Sequence, residues 1–256
     1  MLRTRLIPAL LLYGKSLVKT KQFGKYQYIG DPANTVRIFN ELEVDELCFL
    51  DISAARSRAK PDLKLLKDVA TECFMPLSYG GGVDSLNTAK KVFDIGYEKL
   101  IINTAAAERP DLIEEIANVY GTQAVVAGID VRRNWAGRQK IMTRGGSKKI
   151  SSTPVSWARE LESRGAGEIL LTSIDREGTY EGFDEVLLAE VSAAVDIPVI
   201  AHGGAGGIED IKSAVLCGAS AVALGSTVVY QKQGMGVLVN FPSSEIEATL
   251  KSMGSS

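Results

Sequence analysis

Two glycine-rich turns stand directly after short apolar runs in this chain, YGGGV at 79–83 and AHGGAGG at 201–207. Each is followed, one apolar run later, by a small polar pair, Asn103-Thr104 and Gly225-Ser226. Glycine lets backbone N–H groups approach an anion, and a helix beginning there adds partial positive charge. Gly81, Gly82, Asn103 and Thr104 therefore form one candidate phosphate site, and Gly203, Gly204, Gly225 and Ser226 a second. A single such loop is as well explained by a tight turn; two matched pairs favour phosphate. Asp130 ends another apolar run and is a candidate general acid or base. Aligning IPALLL at 7–12 with VAGIDV at 126–131 sets Leu11 where a partner carboxylate would stand, and leucine cannot move a proton. Asp51, Asp175 and Glu177 lie near the ends of apolar runs and could orient substrate or loops. Between residues 14 and 28, Lys15, Lys19, Lys21 and Lys25 alternate with aromatics, which suits a lid loop over an anionic ligand. Lys19 is the best placed of these for a phosphate contact; a solvated basic loop is the plain alternative. For His202 a packing or hydrogen-bonding role comes before an acid role, because the sequence identifies no partner for it.

Other chemistries find no support. There is no Walker loop, nucleophile elbow or dinucleotide fingerprint in a fitting context. One histidine and three cysteines without C-x-x-C spacing argue against a metal site or disulfide, and no cofactor is expected. A net charge of −2 gives no reason to expect nucleic acid. The opening residues imitate a secretory signal, but Pro8 interrupts a short run with no cleavage pattern, and a buried parallel strand explains them better. No segment reaches the length of a membrane span, and a cytoplasmic location is expected.

The elements that must position these residues follow from periodicity. Strands are predicted at 6–12, 46–51, 76–79, 99–102, 124–130, 168–173, 198–201 and 221–224, with amphipathic helices between them. Pro61 fits a helical first turn, Ser85 caps a helix that stops at Gly96, Pro110 opens another, and 156–164 ends at Gly165. Eight strands alternating with helices over 256 residues predict one α/β domain, a (β/α)8 barrel with a frayed tail at 251–256. The clearest signal is a duplication. At a constant spacing of 122 residues, 46–51 meets 168–173, Pro76 meets Pro198, Gly81-Gly82 meets Gly203-Gly204, and Asn103-Thr104 meets Gly225-Ser226. Two half-barrels, with a phosphate site apiece across one mouth, would suit a ligand phosphorylated at both ends.

The runs FLDIS at 49–53, YGGGV, INTAA at 102–106, GID at 128–130, RGAGEILLTSID at 164–175 and GGAG at 203–206 resemble the cyclase subunit of imidazole glycerol phosphate synthase, over roughly residues 1–230. The resemblance implies a barrel that takes ammonia from a glutaminase partner at its N-terminal face and joins it to a bisphosphorylated substrate at the far mouth. It implies that Arg5, Glu46, Lys99 and Glu168 form a gate for ammonia, and that Gly178 and Thr179 contact substrate. It also implies two catalytic aspartates, of which Asp130 matches one and Leu11 replaces the other. Glu177 stands in place of an aspartate, His202 in place of a small polar residue, and 234–245 departs from the usual last helix. These departures resemble a paralogous branch associated with glycosyl amidation, in which a separate amidotransferase modifies a surface-polysaccharide sugar. Three readings follow: a barrel that conducts ammonia for such an amidation, a genuine histidine-biosynthesis cyclase with another residue replacing the aspartate, and a non-catalytic scaffold that activates a glutaminase.

Overall fold

The computed structural model describes residues 4–57, 59–231 and 233–241; the tail at 251–256 and the end of the 234–245 segment lie outside them. The chain opens with β1 (Arg5–Tyr13), folds back through β2 (Ser16–Thr20) and β3 (Tyr26–Gly30), and enters α1 (Pro32–Glu41). Then come β4 (Leu47–Asp51), α2 (Ile52–Ser57), α3 (Leu63–Glu72), β5 (Leu77–Gly80) and α4 (Leu86–Phe93). The first half ends with β6 (Lys99–Ile102), α5 (Thr104–Glu108) and α6 (Asp111–Tyr120). The second half runs through β7 (Val125–Arg133), β8 (Gln139–Thr143), β9 (Lys148–Lys149), α7 (Pro154–Ser163) and β10 (Glu168–Ser173). It finishes with α8 (Glu185–Ser192), β11 (Val199–His202), α9 (Ile208–Leu216), β12 (Ala221–Leu224) and α10 (Ser226–Val229).

Strands β1, β4, β5, β6, β7, β10, β11 and β12 pair in parallel in that order, and β12 pairs back onto β1. The ring is closed, and the fold is the (β/α)8 barrel predicted. Its strands read as continuous apolar runs because both faces are buried: Leu6, Leu10 and Leu12 of β1 pack under the helices, while Ile7 and Ala9 face an inner cluster with Val126, Leu170 and Ile200. The duplication is visible in the backbone. β5 and β11 share bounds at the 122-residue spacing, as do β6 and β12.

Several local expectations change. The segment expected to be a long lid loop is a β-ribbon: β2 pairs antiparallel with the upper part of β1 and with β3, burying Leu17 and Val18. A second ribbon, β8–β9, extends β7 at the matching place and was not predicted. Pro76 and Pro198 stand one residue before their strands, because proline has no N–H for the ladder; their carbonyls instead accept from Leu47 and Ile169, both at 2.9 Å. Asp62, not Pro61, starts α3, its carboxylate accepting from the N–H groups of Lys64 and Leu65 at 3.1 Å. Ser85 caps α4 as expected, at 3.3 Å from the Thr88 nitrogen. Helix α7 begins earlier than predicted, with Thr153 as its cap and Pro154 in the first turn.

Candidate active site

A cavity of about 350 Å3 opens at the C-terminal ends of the barrel strands, the end of the barrel where loops gather functional groups. Asp130, near the end of β7, lies on its floor. Asn103 Nδ2 donates to Asp130 Oδ2 at 3.2 Å and to the Gly128 carbonyl at 3.1 Å. Burial pushes the Asp130 carboxyl up to about 7, opposed by the Thr172 hydroxyl. Such a group holds or releases a proton near neutrality.

Leu11 lines the same cavity. Its place is fixed by register: Leu11 pairs with Leu50, and Asp130 pairs with Thr172. Leu50 and Thr172 are themselves related by the 122-residue spacing, so the ladder puts Leu11 at the position equivalent to Asp130.

The glycine-rich turns keep their duplicated backbone. Gly81 and Gly82 have φ of +129° and +67°, and Gly203 and Gly204 have +89° and +119°. A Cβ on Gly81 would lie 2.7 Å from the Asp51 carbonyl oxygen, and one on Gly203 would lie 2.6 Å from that of Ser173, so both need glycine. The surroundings nevertheless differ. Gly81, Gly82, Asn103 and Thr104 line the cavity, whereas Gly203, Gly204, Gly225 and Ser226 do not. Next to the second pair, His202 and Thr172 reach the same cavity.

What lies over the second pair comes from the β2–β3 ribbon and the loop after β10. Lys19 is buried and makes an ion pair with Glu177, which also accepts from Thr20 Oγ1 at 3.1 Å and from the Phe23 N–H at 3.2 Å. Lys19 is thus no exposed lid lysine, and burial pulls its ammonium down to about 7. His202 ends β11, with Nδ1 3.1 Å from the Thr172 hydroxyl. Burial, and then the charge of Lys19, pull His202 down to about 3, so it is a neutral hydrogen-bonding group near neutral pH.

The remaining acids are positioned for structure. Asp51 Oδ1 accepts from the N–H groups of Ser53 and Ala54 at 2.9 and 3.0 Å, at the start of α2, while still reaching the cavity wall. Asp175 is not in the cavity; Oδ2 accepts from the Arg133 N–H at 2.7 Å and ties the β10 loop to β7. Gly178 and Thr179 also lie outside the cavity lining. A Cβ on Gly178 would sit 2.7 Å from the Thr20 carbonyl oxygen, and the Thr179 hydroxyl donates to the Arg176 carbonyl at 2.8 Å. Gly178 lets the loop approach the ribbon closely, and Thr179 holds the loop's own turn. Sequence reasoning missed Phe23, Arg109 and Thr172 in the lining. Thr172 could have been found from the 122-residue spacing, as the polar counterpart of Leu50; Arg109 has no such signal.

At the other end of the barrel, Arg5, Glu46, Lys99 and Glu168 close a ring of ion pairs. Arg5 meets Glu46 and Glu168 at 2.9 Å each, and Lys99 meets them at 2.9 and 3.3 Å. Each carboxylate thereby has two cationic partners, which offsets its removal from water. Between this ring and the cavity the inner face is largely apolar, with the Ser78 hydroxyl beside Cys48, whose thiol burial pushes up to about 12. Among the described residues, no cluster of three or more His, Cys, Asp or Glu side chains could hold a metal ion, and no helix is long and apolar enough to cross a membrane.

A (β/α)8 barrel with an acid on the floor of its mouth and an ionic ring at its base is the class defined so far. The family model described as histidine biosynthesis protein matches residues 5–234. A Pseudomonas aeruginosa protein, with the provisional name imidazole glycerol phosphate synthase subunit hisF2, is 46% identical over 244 residues, covering 94% of this chain and 97% of its own. A Vibrio vulnificus protein provisionally named subunit hisF3 is 40% identical over 248 residues, or 95% and 94% of the two chains. Imidazole glycerol phosphate synthase subunit HisF of Chlorobium phaeobacteroides is 41% identical over 233 residues, or 91% and 92%. The chain belongs to the histidine biosynthesis protein family, with relatives of the HisF type.

Proposed function

We propose that this chain is a HisF-type barrel subunit that receives glutamine-derived ammonia from a glutaminase at its N-terminal face and delivers it, through the barrel, to the C-terminal mouth. There it serves the amidation of a surface-polysaccharide sugar, through a separate amidotransferase, in place of imidazole ring closure. The observation that carries this reading is Leu11, an apolar residue at the position equivalent to Asp130 and on the same cavity wall. Ring closure with paired acid and base needs two groups that can exchange protons, and the other acids are committed. Glu177 is buried and accepts from three donors. His202 is held neutral. The ammonia route rests on the ionic ring, which can be parted by a partner's side chain, and on an apolar inner face that favours neutral ammonia over ammonium. The names hisF2 and hisF3 on two relatives fit a branch beside the pathway subunit. Gly81, Gly82, Asn103 and Thr104 suit the phosphate of a small phosphorylated ligand.

Purified protein supplied with an ammonium salt and the bisphosphorylated substrate of the histidine pathway is expected to show no turnover. Turnover at a rate typical of enzymes, on the order of 1 per second, overturns the reading and restores the histidine-biosynthesis cyclase. Coupling to a glutaminase is tested separately: Lys99→Met, which breaks two sides of the ring, should leave glutamine hydrolysis intact and alter ammonia delivery.

A further inference from the structure

Three polar side chains stand in one row across the barrel wall. Thr172 of β10 is paired in register with Asp130 of β7 on one side and with His202 of β11 on the other. Residues paired in this way point to the same face of a sheet, and all three line the cavity. Thr172 and His202 are 2% and 6% exposed, so the bond between them is shielded from bulk water.

The direction of the bonds follows from counting hydrogens. Thr172 Oγ1 and His202 Nδ1 are 3.1 Å apart, and by distance alone either could donate. A hydroxyl has one hydrogen, and that of Thr172 goes to the Asp130 carboxyl, which it holds down against the effect of burial. Its oxygen is left to accept. The hydrogen between Thr172 and the imidazole therefore belongs to Nδ1.

The other edge of the ring calls for the same arrangement. A Cβ on Gly225 would lie 3.7 Å from Lys19 Nζ and 4.0 Å from His202 Nε2, so the ammonium and Nε2 adjoin one turn. A positive charge there favours a lone pair on Nε2 over an N–H. A neutral imidazole carries its hydrogen on one nitrogen only, and both neighbours place it on Nδ1. The imidazolium is suppressed, because burial, and then Lys19, pull His202 down to about 3.

We propose that His202 is a positioning residue for Asp130: its Nδ1–H holds the Thr172 oxygen and so keeps the Thr172 hydroxyl hydrogen on the Asp130 carboxylate. The ring acts as a neutral donor and takes no proton itself. Hydrogen bonds in such a chain strengthen one another, so the hydroxyl donates better when its own oxygen is held. The charged groups nearest His202 are Lys19 from β2 and, paired with it, Glu177 from the loop after β10. Beside Asp130 stand Asn103 after β6 and Thr172 on β10, both uncharged; Lys99 and Glu168 of those strands lie in the ring at the base.

Labelling histidine with nitrogen-15 tests this on the full chain, which has a single histidine. At neutral pH, two-bond proton–nitrogen NMR correlations should show the hydrogen on Nδ1 and a bare Nε2. A hydrogen on Nε2, or on both nitrogens, overturns the inference. The link to Asp130 is read from its carboxyl carbon, titrated in carbon-13-labelled protein. Thr172→Val and His202→Leu should each raise the midpoint by about half a pH unit or more. In the Thr172→Val background, His202→Leu should add nothing, since the group it acts through is gone. No shift from His202→Leu, or the same shift in both backgrounds, also overturns the inference, because leucine would then act by burial alone. The wild-type tautomer decides even if a variant fails to fold.

Discussion

Replacing Asp130 by asparagine should make this protein more stable at mildly alkaline pH and no more stable near pH 4. The carboxyl is pushed from 3.8 up to about 7 by burial, so between those values the folded state holds a proton that the unfolded state has lost. Stability contributed by that group is therefore full below pH 4 and drains away as pH rises to 7. Three pH units at 1.36 kcal/mol each would amount to about 4 kcal/mol. The carboxyl is only part-buried and lines an open cavity, and screening there reduces the expected figure to about 2 kcal/mol. Asparagine keeps an acceptor for the Asn103 amide and carries no charge, so at pH 8 the variant should melt higher by about 4–8 °C, at the rate of 2–4 °C per kcal/mol for a chain of this size. The wild-type pH curve alone would hide this. His202, held at about 3, binds fewer protons folded than unfolded up to its ordinary value, and so adds stability with rising pH through much of the same window. The difference between variant and wild-type melting curves, taken at several pH values, removes that contribution. A difference that does not change with pH, or a variant that melts lower than wild type at pH 8, would refute the assignment of Asp130 as a destabilised, protonatable group.

Four other outcomes test the geometry. Gly82→Ala should cost at least ~2 kcal/mol more in urea unfolding than Gly96→Ala. Both glycines have positive φ, but only at Gly82 would the new Cβ meet a backbone oxygen, that of Ala59 at 2.3 Å. Glu46→Gln should destabilise by about 3 kcal/mol, because it leaves Arg5 and Lys99 sharing Glu168 at a part-buried site. Arg37→Ala, which breaks an exposed pair with Glu72, should leave the urea midpoint close to that of the wild type. With a thiol reagent, Cys73 and Cys217 should react in the folded protein, and Cys48 should wait for unfolding, since it is buried and its thiol is pushed up to about 12.

How much of this was legible in the sequence depended on the range of the interaction that decides each feature. The barrel strands were read from runs such as IPALLL because burial on both faces needs only local apolar residues. The matched glycines were read from a fixed spacing, and their positive φ values follow from local turn geometry. The β2–β3 ribbon was misread as a loop because Lys19, Lys21 and Lys25 beside Tyr26 and Tyr28 look solvated; the strand exists through its ladder with β1. The burial of Lys19 was not legible for a related reason. Its partner, Glu177, is 158 residues away, and no local pattern links the two. The same long-range contact sets Lys19 beside the second glycine turn, so matched motifs have unmatched side-chain surroundings.

Leu11 shows what that loss of symmetry does to the chemistry. A second aspartate at this position would face the same low-dielectric floor that already pushes Asp130 up to about 7, and two carboxyls there would share a proton across coupled titrations. Such a pair can shuttle protons through a ring closure, but it can also trap ammonia as ammonium at the point of exit. With leucine, the wall from Ile7 and Ala9 to Leu11 is apolar from inner face to mouth, and the Asp130 carboxyl, pushed up to about 7, is half protonated near neutrality. A neutral carboxyl donates a hydrogen bond and a charged one attracts a cation, so Asp130 alone holds less ammonium than a pair would. On the proposed function, the leucine in place of a second acid also favours release of neutral ammonia from the mouth, so that lost cyclisation and ammonia delivery would be two consequences of one side chain.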